Sequence, residues 1–166
     1  MRARSHFRVS DAIKILLLHR KMTYQETINL ETTTQFEIID VTKQVEAAVA
    51  KSKIKSGIAV VYSPHTTATI QINHNEPLLK QDIMKMLYRI APIDINYAHD
   101  FFEIRTQVKA GERSNGHAHV KAFMLGASQS IPLDKGRLNL GERQSVFFVE
   151  LDGGRKRRVL ITILGD

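Results

Sequence analysis

The chain has 166 residues, of which 43% are hydrophobic and 25% are charged, and it contains no cysteine. This length and composition indicate one globular domain with its own hydrophobic core. The lack of cysteine excludes disulfide bonds, thiolate metal sites and cysteine nucleophiles. No apolar run reaches the roughly 18–20 residues that cross a bilayer, so we expect a cytoplasmic protein that does not contact membranes.

The formal net charge of +7 is distributed unevenly. Residues 1–21 contribute +5, from six basic side chains and the single acid Asp11. Residues 22–166 therefore carry only about +2, whereas a nucleic-acid-binding domain spreads basic charge over its folded surface. Nucleic acid is accordingly not the partner that we predict.

The basic segment 1–21 has more than one interpretation. It is rich in arginine like a transit peptide, and the apolar run 13–18 resembles a weak signal core, but no small-residue cleavage site follows. It could also form a small amphipathic helix on the domain. We favour a misassigned start, with Met22 as the natural first residue, because a strand-like pattern begins directly after it. The predicted domain is then 22–166.

The first half of this domain shows strand and helix patterns in turn. Alternation and β-forming residues predict strands over 24–32, 36–41 and 66–73. A helix is predicted from Thr42, as its N-cap, to about Lys55, with Gly57 as the glycine that ends it. The continuous apolar run 58–62 is typical of a strand covered on both faces.

The second half begins with a helix and ends with strands. Asn75 or Glu76 caps the helix, Pro77 occupies an early position, and Pro92 stops it. Residues 93–116 lack periodicity and are predicted to form a long functional loop. Strands are then predicted over 117–125, 128–132, 144–151 and 157–164. The sum is an α+β fold with two helices packed on a largely antiparallel or mixed sheet.

A candidate site follows from His117, His119 and Lys121. On a strand, residues two apart share one face, so these three side chains would point the same way. Two such imidazoles can converge on one metal ion or one anion. The alternative is a half-buried strand whose polar face meets solvent.

Other polar clusters lie in predicted turns. His65, Thr66 and Thr67 follow a strand, where hydroxyl and backbone N–H groups can hold an anion such as phosphate. Glu76 can act as a helix cap, a metal ligand or a general acid–base group. Asp100 can orient His99 or share a metal with it.

Several well-known motifs are missing from the chain. It has no P-loop, no dinucleotide-binding glycine motif, no nucleophile elbow and no His-Glu-x-x-His zinc motif. It also lacks tryptophan and the aromatic-and-basic pattern of RNA-recognition modules. The basic run 155–158 could bind phosphate, although a solvated hairpin tip has the same appearance.

Taken in chain order, five motifs resemble one family, the YjbQ-like family, also called the secondary thiamine-phosphate synthase family. The resemblance covers roughly residues 23–166. The motifs are Pro64-His65-Thr66-Thr67-Ala68, Asn75-Glu76-Pro77, Tyr97-Ala98-His99-Asp100, Gly116-His117-Ala118-His119-Val120-Lys121-Ala122 and Phe148-Val149-Glu150-Leu151-Asp152-Gly153.

The resemblance implies an α+β fold, assembly as a homotrimer and a histidine cluster near the subunit boundary. It also implies thiamine-phosphate synthase activity, which in this family is suspected to be a side reaction. Matched by motif, the implied site residues are His65, Thr66, Thr67, Glu76, His99, His117, His119 and Lys121.

Residues and resemblance together predict a metal-assisted enzyme that acts on phosphorylated small molecules. The proposed reaction couples hydroxymethylpyrimidine diphosphate to thiazole phosphate with loss of pyrophosphate. We expect a divalent metal, Mg²⁺ or Zn²⁺, at His99, His117 and His119. The expected catalytic residues are Glu76, Lys121 and His65, with His65 also a fourth candidate metal ligand. Thr66, Thr67 and Asp100 are expected to bind substrate.

Two alternatives stay open: a trimeric sensor or storage protein that binds a phosphorylated metabolite without turnover, and a metal-dependent hydrolase. The chain also departs from the family pattern. Residues 141–144 read Gly-Glu-Arg-Gln where the family usually has Gly-Thr-Trp-Gln, and Gly116 replaces a frequent alanine. The first change affects an expected pocket wall or subunit contact.

Overall fold

In a computed structural model that describes residues 22–166, eight strands form two sheets and three helices pack on them. The interpretations of residues 1–21 lie outside this described part. The strands are Met22–Glu31 (β1), Glu37–Asp40 (β2), Gly57–Tyr62 (β3), Ala68–His74 (β4), Ser128–Asp134 (β5), Arg137–Leu138 (β6), Gln144–Glu150 (β7) and Lys156–Gly165 (β8). The helices are Thr42–Ser52 (α1), Pro77–Ile90 (α2) and Gly116–Leu125 (α3), with one 3₁₀ turn at Ala98–Asp100.

Within residues 22–166, every strand pair is antiparallel. The larger sheet has the order β1-β8-β3-β5-β6, and the smaller has the order β2-β7-β4. The α+β class is therefore confirmed, and the sheets are antiparallel rather than mixed. No helix in this part of the chain is long and apolar enough to cross a membrane.

Strand β7 lies at the centre of the fold because both of its faces are covered. Val146 and Phe148 belong to the main core, between the two sheets and α1. Phe147 and Val149 belong to a second core against α2 and α3. This arrangement holds α3 beside the end of β7, where the candidate site lies.

Three local predictions in the first half need correction. Helix α1 is capped by Val41 rather than Thr42, and its first N–H, from Thr42, is bound by Asp40 Oδ1 at 2.9 Å. Lys53, with φ 60°, ends this helix in the left-handed conformation. Gly57 instead begins β3 with φ 153°, and a Cβ there would collide with the Leu164 carbonyl oxygen. Strand β3 is buried on one face only, since Ile58 and Tyr62 are exposed.

The main correction concerns residues 117–125, which form helix α3 and not a strand. Ala118, Ala122 and Leu125 pack in the second core, and this i, i+4, i+7 spacing has the period of a helix. The alternation of His117, His119 and Lys121 predicted the period of a strand, although the apolar residues of this short segment have the period of a helix. The domain consequently has three helices instead of two, and His117 and His119 no longer share a face.

Candidate functional site

A cavity of about 870 Å³ lies where three segments meet: the β3–β4 turn, the loop before α3 and the start of β8. Five of the side chains predicted from the sequence share its wall: His65, Thr66, Thr67, His99 and His119. The structure therefore brings the Thr-Thr turn and two of the predicted metal-ligating histidines into one site.

The cavity wall carries an excess of positive charge. Its lining includes one carboxylate, Glu112, and five cationic side chains: Arg105, Lys109, Arg113, Arg155 and Arg157. Two further carboxylates, Glu150 and Asp152, form ion pairs with these arginines. Two positive charges remain in excess after all three carboxylates are counted, which favours an anionic ligand.

Arg157 is fixed by a buried ion pair with Glu150. Its Nε donates to Glu150 Oε2 at 2.6 Å and its Nη2 donates to Thr67 Oγ1 at 3.0 Å. Burial alone disfavours ionisation of Glu150, but Arg157 and backbone N–H groups hold its pKa below the usual value. Because these contacts hold the Arg157 guanidinium in one orientation, its positive charge is already positioned beside Thr67 before a ligand binds.

His65 is held in one protonation state by its neighbours. Its Nε2 accepts a hydrogen bond from the backbone N–H of Arg158 at 3.0 Å, and its ring edge contacts Phe148. Burial, followed by the charge of Arg157, lowers the pKa of His65. His65 is therefore neutral at pH 7 and carries its proton on Nδ1.

His99 and His119 form a close pair. Their ring centroids are 4.6 Å apart with the planes inclined at 61°. Burial lowers the pKa of His119, and the neighbouring His99 lowers it further. His99 Nε2 is buried without a hydrogen-bond partner and lies 4.0 Å from Glu112 Oε1.

The long predicted loop forms one side of the cavity. Arg105 donates to the His99 carbonyl at 3.1 Å and to Glu112 Oε1 at 2.7 Å. Arg113 and Arg155 both bind Asp152, at 3.3 and 2.5 Å. These contacts connect the loop to the 3₁₀ turn and to the start of β8.

His117 and Lys121 lie one helical turn apart and are not among the residues that line the cavity. Each is only 2% exposed, and Lys121 Nζ lies 3.1 Å from His117 Nδ1 and 5.2 Å from the Tyr88 ring centre. Burial lowers the pKa of both groups. Neither residue lines the cavity, so the predicted common face of His117, His119 and Lys121 does not exist.

Glu76 and Asp100 have structural partners. Glu76 caps α2, accepting from the N–H groups of Leu78 and Leu79 at 2.8 and 2.6 Å. Glu76 comes after the C-terminal end of β4, whereas the Thr-Thr turn precedes the N-terminal end of this strand. A strand of seven residues is about 23 Å long. Asp100 Oδ1 accepts from the N–H groups of Asn115 and Gly116, at 2.9 and 3.0 Å.

The predicted metal ligands fit only in part. Across residues 22–166, no three His, Asp or Glu side chains converge on one point as a metal site requires. His99 and His119 do share the cavity, and the unpartnered His99 Nε2 is a suitable donor atom. His117 Nε2 is also buried without a partner but lies outside the lining.

The sequence departure at 141–144 lies away from the cavity. These residues form an exposed turn before β7, in which Gly141 N–H donates to Gln144 Oε1 at 2.8 Å. Gly116 directly follows the lining residue Asn115, and a Cβ on it would overlap the Tyr97 side chain. Alanine at 116 would therefore require Tyr97 to move.

Of the basic run 155–158, which the sequence marked as a possible phosphate-binding segment, Arg155 and Arg157 line the cavity. Sequence reasoning missed other lining residues, chiefly Arg105, Arg113 and Asn115, and it gave no reason to single out Arg157 within the run. The period of β8 did carry a signal for Arg157. Residues two apart on a strand share a face, so Arg157 lies on the buried face formed by Val159, Ile161 and Ile163. The other three lie in or next to an aperiodic loop, where no pattern identifies which polar side chains turn inward.

Comparison with known proteins adds the evolutionary context. A family model described as "UPF0047 protein YjbQ-like" matches residues 26–166. A UPF0047 protein of Methanothermobacter thermautotrophicus is 37% identical over 86% of this chain and 92% of its own length. The UPF0047 protein YugU of Bacillus subtilis is 36% identical over 84% of this chain and 98% of its own.

Solved structures agree with this relationship. A YbjQ-like protein of unknown function from Sulfolobus solfataricus superposes with a TM-score of 0.80 at 35% identity. The match covers 89% of this chain and all of that one. The family match and these identities over most of both chains lead to one conclusion: this chain belongs to the YjbQ-like UPF0047 family.

Proposed function

We propose that this protein is an enzyme that acts on a phosphorylated small molecule bound in the cationic cavity. The observation that carries the proposal is the convergence of the His99–His119 pair and the Thr67–Arg157 contact on one cavity with excess positive charge. A histidine pair beside a cationic pocket supplies both proton transfer and charge stabilisation.

The phosphate would occupy the side of the cavity formed by Thr66, Thr67 and the start of β8. Thr66 is exposed to the cavity, and Arg155 lies beside the preset Arg157. Because Arg157 is already held by Glu150, little reorganisation is required when the anion binds. The neutral His65 would contribute its Nδ1–H as a donor.

His99 and His119 would perform the acid–base step. His119 is neutral at pH 7 because of its lowered pKa, so in a reaction on a phosphate ester it can accept the proton of an attacking water. Bond formation at a thiazole nitrogen releases no proton and does not need this base. As an alternative to this proton transfer, the acceptor nitrogens of the two histidines would hold a divalent cation, Mg²⁺ or Zn²⁺, which would neutralise phosphate charge when bound. His117 would join them only after a rearrangement of α3.

The specific reaction that we propose is thiamine-phosphate synthesis, as the family resemblance implies. The carbon–oxygen bond to the diphosphate of hydroxymethylpyrimidine diphosphate breaks, a bond to the thiazole nitrogen forms, and pyrophosphate leaves with the released electron pair. The cationic wall would stabilise the leaving pyrophosphate. This transferase activity can be secondary to another reaction on a phosphate ester.

We further propose a cytoplasmic homotrimer, again on the resemblance. Glu76, His117 and Lys121 lie outside the cavity of the single chain. The catalytic roles proposed for Glu76 and Lys121, and the metal-ligand role proposed for His117, therefore require either a neighbouring subunit or a movement of α3. Substrate binding by Asp100 likewise competes with its bonds to the start of α3.

The test is a pyrophosphate-release assay on the full chain with both substrates, with and without a chelator. His119→Ala should abolish turnover, whereas His74→Ala, a histidine outside the cavity, should retain it. Circular dichroism and Tm confirm that both variants fold. Saturable phosphate-ester binding without turnover would show that the protein is a sensor or storage protein and not an enzyme.

Two other outcomes are also decisive. Phosphate release from simple esters, lost with chelator and restored by Zn²⁺, would identify a metal-dependent hydrolase and reject the transferase. If millimolar inorganic phosphate, pyrophosphate and phosphate esters all fail to bind, the whole proposal is rejected.

A further inference from the structure

Asn115 presents an unmet hydrogen-bond acceptor in the cavity wall. The residue lines the cavity and is only 5% exposed. In residues 22–166, three buried side-chain atoms have no hydrogen-bond partner, and Asn115 Oδ1 is one of them. A buried polar atom left unpaired is destabilising and uncommon in folded proteins, so this atom requires an explanation.

The orientation of the Asn115 amide is fixed by Asp152. Nδ2 donates to Asp152 Oδ2 at 3.0 Å. Asp152 is bound by Arg113 and Arg155 and its side chain is 1% exposed, so it is an ionised group that only accepts. Turning the amide over would place two acceptor oxygens together. Oδ1 is therefore the free atom.

Helix formation does not explain the Asn115 side chain. Its backbone N–H donates to Asp100 Oδ1, and its carbonyl accepts from the N–H groups of Ala118 and His119 at 2.9 and 3.3 Å. Asn115 occupies the N-cap of α3, yet its side chain makes no capping hydrogen bond. The start of α3 is therefore formed without any hydrogen bond to Asn115 Oδ1.

We infer that Asn115 Oδ1 recognises a hydroxyl or amino group of the ligand. Since Oδ1 can only accept, the ligand must bring an O–H or N–H donor beside its phosphate. His99, whose Nε2 is also buried without a partner, lines the same cavity, and Asp100, next to His99, binds the Asn115 backbone. A hydroxyl group, which both donates and accepts, is able to pair with either atom.

Oδ1 has no contact with solvent as the cavity stands. The donor group reaches it when the lining side chains shift slightly on binding, as interface side chains commonly do. This inference rests on the proposed function and deepens it. The substrate class becomes a phosphate ester that carries a hydroxyl or amino group, rather than a phosphorylated molecule of any kind.

The test compares two probes that differ only in hydroxyl groups, glycerol 1-phosphate and n-propyl phosphate. Calorimetry on the full chain measures both Kd values in the wild type, in Asn115→Ala and in Asn139→Ala. Asn139 is an exposed asparagine outside this cavity and serves as the matched control. One hydrogen bond of ordinary strength predicts an about tenfold preference for glycerol 1-phosphate.

The inference predicts that this preference disappears in Asn115→Ala and persists in Asn139→Ala. Equal Kd values in the wild type overturn the inference and leave the proposed function intact. A preference that survives in Asn115→Ala overturns it as well. If neither ester binds but pyrophosphate does, only the inference is overturned; if inorganic phosphate and pyrophosphate fail to bind as well, the proposed function itself has failed. Should Asn115→Ala not fold, the same comparison in Asn115→Ser decides.

Discussion

The imidazole rings of His99 and His119 meet edge to face, with 4.6 Å between their centroids. One ring belongs to a 3₁₀ turn and the other to helix α3, and Asp100 in that turn connects the two by binding the start of the helix. Each histidine then forms part of the electrostatic environment of the other.

This proximity predicts that His99 influences the pKa of His119. The charge of His99 contributes to lowering the pKa of His119, after burial. His99→Gln should therefore raise the pKa of His119 towards the ordinary histidine value near 6.5. Histidine-selective NMR titration measures the change. A pKa of His119 that stays constant or falls in this variant would show that the rings do not interact.

Acid should destabilise the fold before the carboxylates titrate. The pKa values of His65, His117 and His119 are lowered in the folded state from 6.5. The unfolded chain therefore binds more protons as pH falls below about 6.5, and the free energy of unfolding decreases from there towards the folded pKa values. Urea titrations at pH 7.5, 6.5 and 5.5 test this.

In the same titrations, His117→Asn should reduce the slope of stability against pH. His117 is the most buried of the three histidines, so its protonation is the most strongly opposed. A free energy of unfolding that is constant from pH 7.5 to 5.5 contradicts the assignment of neutral histidines.

Breaking the buried ion pair between Glu150 and Arg157 should strongly lower the free energy of unfolding. Glu150→Gln leaves the Arg157 charge buried and uncompensated, which costs about 3–5 kcal/mol. The double variant Glu150→Gln, Arg157→Met should recover much of that loss, because no charge is left unpaired. Glu26→Gln removes an exposed bridge to Lys51 and serves as the mild control. Equal urea midpoints for the two single variants would refute the account.

Gly116 should not tolerate alanine. A Cβ at this position overlaps Tyr97, and overfilling a packed site costs about 1–3 kcal/mol. The same substitution at Gly141 meets only ordinary contacts and provides the control. Thermal unfolding compares the two. Retention of the wild-type Tm in Gly116→Ala would mean that the 3₁₀ turn adapts without strain.

Much of the fold followed from period and turn residues. The alternation in β1 and β4 and the capped start of α2 at Glu76 and Pro77 are all present in the structure. Helix α3 was misassigned because its alternating His117, His119 and Lys121 suggested a strand, while its spacing of Ala118, Ala122 and Leu125 is helical.

The sequence identified site residues only where a polar residue type suited to binding or catalysis occurred at a strand end or in a loop. His65, Thr66 and Thr67 follow a strand end, and His99 lies in an aperiodic loop, and all four line the cavity. Arg105 and Asn115 depend on how that loop folds over the start of α3. Long-range contacts of this kind leave no trace in local periodicity.

The most direct test of the central claim is a titration of the full chain with pyrophosphate, followed by the side-chain NMR signals of its histidines. The account predicts saturable shifts at His65, His99 and His119, with His74 unchanged, because only the first three line the cavity. No saturable shift at these three histidines, or shifts of equal size at His74, would contradict it.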